Sequence, residues 1–374
     1  MDCYVCGANN NKVILDKQPI PIWTGGDDTD VCRNSRIACK LLLCNSCGHV
    51  YQPKEYVPVK LLEEIYQSSN AQASTNLGIG NWGFQRAKFE IESMGDVNFD
   101  SILEIGCGAG FLLKYFKSNY SVKHAEGIEP SLDCSKIEDG IIFHKAFSDA
   151  NLNLGKKFDF IYSNNVFEHI EDINGVLKFV DKHLEDEGIL FFEVPNADLL
   201  VKSGDPALFI HEHIHCYTKK SIQYLLSRHN FFINEFVEKD DSIFVRASRK
   251  KPDDMLLESI DYSGYQSKID AIVHSVKAFV MSNRIAFHAA NNSLNNLIGW
   301  GEIENEDFLI FDNDEMKINK YFFGKIVNAP SEKHLNKIDK IIILPQFYFS
   351  SIHEQYDKLK FTGELCNITE IIKQ

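Results

Sequence analysis

Short apolar runs alternate with helical patterns through the middle of the chain. The runs SILEIG, KHAEGIEP, GIIFHKAF, FDFIYSNN and GILFFEVP read as strands, and amphipathic stretches such as INGVLKFVDKHL separate most of them. Alternation of this kind implies a mostly parallel sheet covered on both faces. Two further runs, FFINEFVEK and SIFVRAS, follow one another with no helix between, which predicts an antiparallel hairpin at the end of this unit, residues 99–248. RKKPDD then reads as a linker, and a long helix is predicted over LLESIDYSGYQSKIDAIVHSVKAFVMSN. RIAFHAA, DFLIFDND and IDKIIILPQ resume the alternation, so residues 255–374 form a smaller α/β domain, a possible distant echo of the first. Residues 1–60 lack the pattern. Their cysteines, Pro19, Pro21, Gly25, Gly26 and the acidic run DDTD predict a loop-rich module short of core. Between it and the sheet, residues 61–98 carry a brief helix, LLEEIYQSS, and a polar connection or flap, STNLGIGNWG.

A length of 374 residues suits two or three domains, and 44% hydrophobic with 25% charged residues is an ordinary globular composition. The net charge of -14 argues against a nucleic-acid backbone as partner, because such binding runs on clustered Lys and Arg. It leaves room for an anionic small molecule in one local basic pocket. The start, MDCYVCG, has no signal pattern, and no apolar run is long enough to cross a bilayer. A cytoplasmic location and no membrane partner are therefore expected.

In that compartment ten cysteines read as metal ligands and core thiols rather than disulfides. Cys3 and Cys6 form one C-x-x-C pair, Cys44 and Cys47 another, and a glycine follows each, Gly7 and Gly48. Two such pairs close a tetrahedral thiolate site for a structural Zn2+, the expected staple for a module with little core. Reduced thiols are the alternative, and Cys39 or His49 could replace one ligand. With four ligands supplied, no position stays open for catalysis.

The densest chemistry lies in ILEIGCGAGFLLKYF, which starts at Ile102. An apolar run ends at Glu104, glycines alternate at Gly106, Gly108 and Gly110, a helix pattern follows, and a second apolar run ends in Glu129. This describes a strand, a turn open to a ligand, a helix N-terminus and a carboxylate placed for a ribose diol. A flavin or NAD site is the usual rival, but Phe111 stands where the dinucleotide fingerprint needs its third glycine. The E-x-G-x-G-x-G form resembles motif I of class I methyltransferases, a Rossmann-like fold. That resemblance implies S-adenosylmethionine (SAM) as cofactor, with S-adenosylhomocysteine as product. The predicted closing hairpin suits the end of the class I sheet. Asn164 and Asn165 lie in SNNVFEHI, beside Glu168 and His169, where they could reach the methionyl end of SAM or simply cap a helix. Phe147 follows the third strand and reads either as a neighbour of the adenine ring or as core.

The run FIHEHIHCYT holds His211, His213 and His215, which would share one face of an extended segment with Glu212 opposite. A metal face, a polar surface loop and a general base all fit it, although no carboxylate cluster completes a metal site along the chain. Its place between the fifth strand and a helix favours the base.

Taken together, these parts resemble the zinc-containing sugar C-methyltransferases, which act on nucleotide-linked deoxy keto-sugars. The resemblance covers CxxC plus CxxCG, the glycine-rich SAM domain, FIHEHIHCYT, and a C-terminal module in IAFHAANNSLNNLI and FDNDEMKINKYFFG. In the last run it is clearest at Asp312, Asn313, Lys317, Lys320 and Gly324. It implies a nucleotide-linked sugar as substrate, His213 as the base with Glu212 and His211 beside it, and a pocket tyrosine nearest to Tyr66. Two departures stand out: Ile210 occupies the place of the family's tyrosine, and DDSIFVR replaces a glycine-rich turn. The acceptor, or its reacting atom, can differ accordingly. An O- or N-methyltransferase acting on a related sugar is the alternative, and a non-catalytic SAM or sugar binder a more distant one.

Overall fold

The computed structural model describes residues 2–23, 35–60, 92, 99–252 and 260–373, so Tyr66 and nearly all of the 61–98 connection lie outside the described residues. Three sheets organise the rest. The N-terminal sheet contains β1 (Asn11–Pro21), β2 (Arg36–Cys44), β3 (Val50–Tyr51) and the distant β10 (His215–Cys216), in that order. The central sheet contains β4 (Ser101–Ile105), β5 (His124–Ile128), β6 (Lys136–Glu138), β7 (Ile141–His144), β8 (Phe158–Asn164), β9 (Leu184–Pro195), β11 (Phe232–Lys239) and β12 (Ser242–Ser248). Its order is β11-β12-β9-β8-β4-β5-β7-β6.

The apolar runs set this order. β4, β5, β7, β8 and β9 are parallel neighbours, as continuous apolar strands under helices require. β11 and β12 form the antiparallel hairpin, and β12 pairs antiparallel with β9. The short β6 was not expected: Lys136–Glu138 is an exposed edge with no apolar pattern to mark it. Helix α1 (Phe111–Asn119) follows β4 and α2 (Ile173–His183) follows β8. Asp172 caps α2 by accepting from the Gly175 N–H, and Ile173, Val176, Leu177 and Val180 are buried, the spacing of one helix face. Helices α3 (Ala197–Ser203) and α4 (Lys219–Arg228) lie between β9 and β11.

After α5 (Tyr265–Ser282), β13 (Ile285–His288), α6 (Asn292–Gly301) and β14 (Leu309–Phe311) open the C-terminal sheet. β15 (Tyr321–Phe322), β16 (Lys325–Asn328), β17 (Lys340–Ile343) and β18 (Glu364–Asn367) complete it in the order β15-β16-β14-β13-β17-β18. The long predicted helix begins only at Tyr265. Gly264 precedes it with φ 85°, a left-handed residue that cannot lie inside an α-helix.

The N-terminal segment departs most from expectation. It is not loop-rich: β1 and β2 form an 11- and a 9-residue antiparallel pair. Its apolar side chains bury against another part of the chain. Ile14, Leu15, Ile20 and Ile22 join one core with Val273, Val276, Leu297 and Trp300 of α5 and α6. The contact is close enough that a Cβ on Gly299 would fall 2.6 Å from Ile20 Cγ2. A strand pair that borrows its core from a distant domain leaves no compositional mark of its own. No helix among the described residues is long and apolar enough to cross a membrane.

Candidate active site

The glycine turn sits at the carboxyl edge of the central sheet, where open α/β sheets bind ligands. Gly106 and Gly110 adopt φ 75° and 73°, and each meets a wall: a Cβ on Gly106 would lie 2.3 Å from Val166 Cγ2, and one on Gly110 2.4 Å from the Phe143 ring. A Cβ on Gly108 would meet nothing within 4 Å, so the turn is open at its centre. The Gly108 N–H donates to Glu129 Oε2 at 3.1 Å, while the Ser131 N–H and hydroxyl donate to Oε1 at 2.9 and 2.7 Å. Oε2, with a single donor, keeps a second lone pair for a ligand hydroxyl. Glu104 is buried and accepts from the Tyr162 hydroxyl at 3.1 Å, which fixes the base of the turn.

Asn164 and Asn165 end β8 on the same edge. Both polar atoms of the Asn164 amide are buried with no hydrogen-bond partner, an orphaned pair suited to a polar ligand group. Asn165 takes φ 52°, and its N–H donates to Glu193 O at 3.0 Å. Neither side chain caps the short helical turn that follows, whose first residue makes no side-chain cap. Phe147 is 74% exposed, so the core alternative for it fails.

The histidine run reaches this edge in a form the sequence did not indicate. Ile210 to His213 close a turn, with the His213 N–H donating to Ile210 O at 3.0 Å, and only His215–Cys216 is extended. The three rings therefore do not share a face. His215 is a bridge: Nδ1 lies 2.9 Å from His49 Nε2, and Nε2 donates to Ile170 O at 2.8 Å. His211 is buried, and its Nε2 has no hydrogen-bond partner. The His213 ring stands edge-on to His169 at 4.7 Å between centroids. His169 Nδ1–H donates to the backbone carbonyl of Glu212 at 3.1 Å.

Burial holds His213 well below the usual imidazole range, aided by His169 and His211 and opposed by Glu212. The ring is thereby held in its neutral form. Burial also pushes the Glu168 carboxyl up to about 7, against the pull of His169. The two halves of the edge meet through Val166, which packs on Gly106 and precedes Glu168 and His169 by two and three residues.

One buried residue that organises this run escaped sequence reading. Gln52 Nε2 donates to the carbonyls of Ile210, His211 and His213 at 2.9, 3.2 and 2.8 Å, and its N–H donates to Ile214 O at 2.9 Å. Nothing in YQPKEY marks a glutamine as a clamp. Its partners are backbone atoms about 160 residues away.

Cys3, Cys6, Cys44 and Cys47 offer four sulfurs within 4.8 Å of one another. Cys3 and Cys47 are 3.6 Å apart and Cys6 and Cys44 3.5 Å, near the ~3.8 Å edge of a tetrahedron with ~2.3 Å metal–sulfur bonds. Each pair closes on the same knuckle: Gly7 N–H donates to Cys3 O and Gly48 N–H to Cys44 O, both at 2.8 Å. Cys39 lies outside the cluster, with its thiol on Ile37 O, and His49 is engaged with His215. The knuckles pack on the central domain, where Thr218 Oγ1 donates to Gly48 O at 2.9 Å and Arg228 to Val5 O at 2.6 Å.

Residues 80–235 match a family model described as Methyltransferase domain. Over 101 residues the chain is 30% identical to ubiquinone biosynthesis O-methyltransferase of Bartonella tribocorum, covering 25% of this chain and 41% of that protein. Over 242 residues it is 21% identical to C-methyltransferase NovU of Streptomyces niveus, covering 61% of this chain and 55% of that protein. The matches thus span about half the length, or less, of these relatives. A crystal structure of an S-adenosylmethionine dependent methyltransferase from Mesorhizobium loti aligns at 16% identity with a TM-score of 0.36, covering 43% of this chain and 95% of that one. The parallel central sheet and its glycine turn fall within the stretch, residues 80–235, that is similar to a methyltransferase domain.

Proposed function

We propose that this protein methylates a carbon next to a ketone in a nucleotide-linked sugar. The observation that carries the reading is one shared edge: an open glycine turn bonded to Glu129 and walled by Val166, and a half-buried His213 whose ring meets His169, three residues after Val166. When bound, SAM supplies a methyl group activated on a sulfonium. Gly106, Gly108 and Gly110 would admit it, Glu129 would hold the ribose, and Asn164 would take its polar methionyl end, with Asn165 and the exposed Phe147 beside it. His213 would then remove the proton alpha to the acceptor carbonyl, with Glu212 beside it, leaving an enolate that a hydroxyl donor would steady. The carbon–methyl bond forms as the sulfur–methyl bond breaks, and holding the partners in line supplies much of the acceleration.

We propose further that Cys3, Cys6, Cys44 and Cys47 hold a structural Zn2+. Its place in this reading is architectural: it fixes the knuckle that carries β3 and Gln52, which in turn position the histidine run. Metal analysis of the purified chain is expected to give one zinc lost on Cys44→Ser.

A second reading, transfer to oxygen or nitrogen, is favoured by Ile210 standing where the resembling family has a tyrosine. One experiment separates the readings. Labelled SAM is incubated with nucleotide-linked keto-, amino- and hydroxy-sugars, and NMR of any labelled product reports whether the methyl sits on carbon, oxygen or nitrogen. SAM binding with no label transfer to any of them would leave only a binding role.

A further inference from the structure

An acid meets His213 across the fold rather than along the chain. Glu168, on the short helical turn after β8, and His213 each offer a polar atom, and the two lie within 4.8 Å of one another. We propose that Glu168 is a positioning residue for the methyl transfer, the counter-charge that lets His213 hold the proton it removes. The inference rests on the proposed role of His213 as base and names the buried partner that strengthens it.

Three observations carry it. First, Glu168 is 1% exposed and its Oε2 has no hydrogen-bond partner, so on ionisation that oxygen is a buried charge with no donor to offset it. A proton arriving on His213 supplies the opposite charge. Second, the turn is fastened to the histidine run on both sides of Glu168. The Tyr217 hydroxyl donates to Phe167 O at 3.2 Å, and His169 Nδ1–H donates to Glu212 O at 3.1 Å. Third, the adjoining Glu212 is half-buried, whereas Glu168 acts from the interior, where solvent screens its charge least.

The chemistry balances without a further reactant. The acceptor C–H bond breaks, its proton passes to His213, and its electron pair stays on the acceptor as the enolate. That pair forms the carbon–methyl bond as the sulfur–methyl bond breaks, and His213 afterwards releases its proton to water. Glu168 exchanges no atom in these steps. Its charge offsets the imidazolium, and an opposite charge ~4–6 Å away strengthens a base's hold on a proton roughly 10- to 1,000-fold.

The titratable groups facing Glu168 are His169 on its own turn, Glu212 and His213 on the histidine run, and Cys216 and Tyr217 beyond it. Burial pushes the Cys216 thiol up to about 12 and the Tyr217 phenol well above its usual range, so both stay neutral. Glu168 itself, at about 7, is protonated at pH 6 and ionised at pH 8, so its aid to His213 is absent at the first and present at the second.

Two measurements on the full chain test the pairing. In the first, kcat for an acceptor sugar is followed from pH 6 to 8, and wild type is expected to rise with a midpoint at about 7. Glu168→Gln should lose that rise and run roughly 10- to 100-fold slower at pH 8, with KM for the acceptor and SAM affinity within about twofold. Glu168→Asp should recover part of the rate together with the rise. His169 and Glu212 are present in all three chains, so the difference between the profiles belongs to Glu168. In the second, NMR of 15N-labelled histidine follows the His213 ring, assigned by the signals lost in His213→Asn. Those signals should step with a midpoint at about 7 in wild type and lose the step in Glu168→Gln. An unchanged step, or an unchanged pH profile in a variant that still binds SAM, overturns the pairing and leaves the methyl-transfer reading intact. A Glu168-dependent step with no sugar methylated does the reverse.

Discussion

Two strand–helix–strand units of this chain share one connectivity and end in opposite fittings. β4, α1 and β5 build one, β13, α6 and β14 the other, and both strand pairs are parallel neighbours. In each, a carboxylate just past the second strand accepts a backbone N–H from the first turn: Glu129 from Gly108 at 3.1 Å, Asp312 from Ala290 at 2.9 Å. The central turn has three glycines at positive φ and open space beyond Gly108. The C-terminal turn is occupied. Asn291 caps α6 by accepting from the Leu294 N–H, and Lys317 donates to Ala290 O at 2.9 Å and reaches Asp312 at 3.4 Å, with its ammonium 5.6 Å from the Trp23 ring. Topology thus offers the same place twice, and side chains decide whether a ligand can use it.

The comparison can be broken most sharply at the open edge. His213→Asn is expected to lower methyl transfer ~10²–10⁴-fold, the usual loss for a positioned base, while SAM affinity by calorimetry stays within about twofold. Wild-type turnover in that variant would remove His213 from the chemistry. Gly110→Ala forces a side chain into a φ 73° residue and against Phe143, so SAM affinity should fall roughly 30-fold or more. The matching change at the plugged edge, Ala290→Gly, should leave SAM affinity unaltered. Equal losses at both edges would mean that the cofactor site is misplaced.

Asp205 joins the two edges and offers a smaller test. It accepts from the Ala207 N–H, from Ser293 on α6 and from Gln346 after β17, and burial pushes its carboxyl up to about 6. The folded chain then holds this proton more tightly than the unfolded one, whose pKa is about 3.9. The resulting stability is present below pH 4 and is lost as pH rises through 6, by up to about 3 kcal/mol. Between pH 4 and 7 the stability of wild type should fall relative to Asp205→Asn by that amount, read from melting curves; parallel curves would refute it. The smallest effect is expected at the plug. Lys317→Met leaves the nearly buried Asp312 short of a partner and should cost about 1–2 kcal/mol, read as a modest drop in Tm with SAM affinity unchanged.

Legibility in the sequence followed the range of each interaction. Glu104, the glycines and Glu129 lie within a single strand–helix–strand unit, where local spacing dictates backbone shape. The cysteine knuckles were legible for the same reason, since each is a four-residue turn closed on its own glycine. The histidine run was visible as chemistry but not as geometry: its alternation suggested one extended face, and the Gln52 clamp together with the β3–β10 pairing turned His215 toward His49 and His213 toward His169. The N-terminal strands were misread because their core is borrowed from α5 and α6.

By itself, then, the sequence determined the alternating α/β plan, the glycine turn with its acid, and the paired thiolates, because each depends on neighbours within a few turns of chain. Only the tertiary structure decided which histidine faces which partner, that Glu168 joins His169 and His213, and that Lys317 closes the second edge. Those outcomes depend on side chains that meet across sheets, and no local pattern encodes the distance between them.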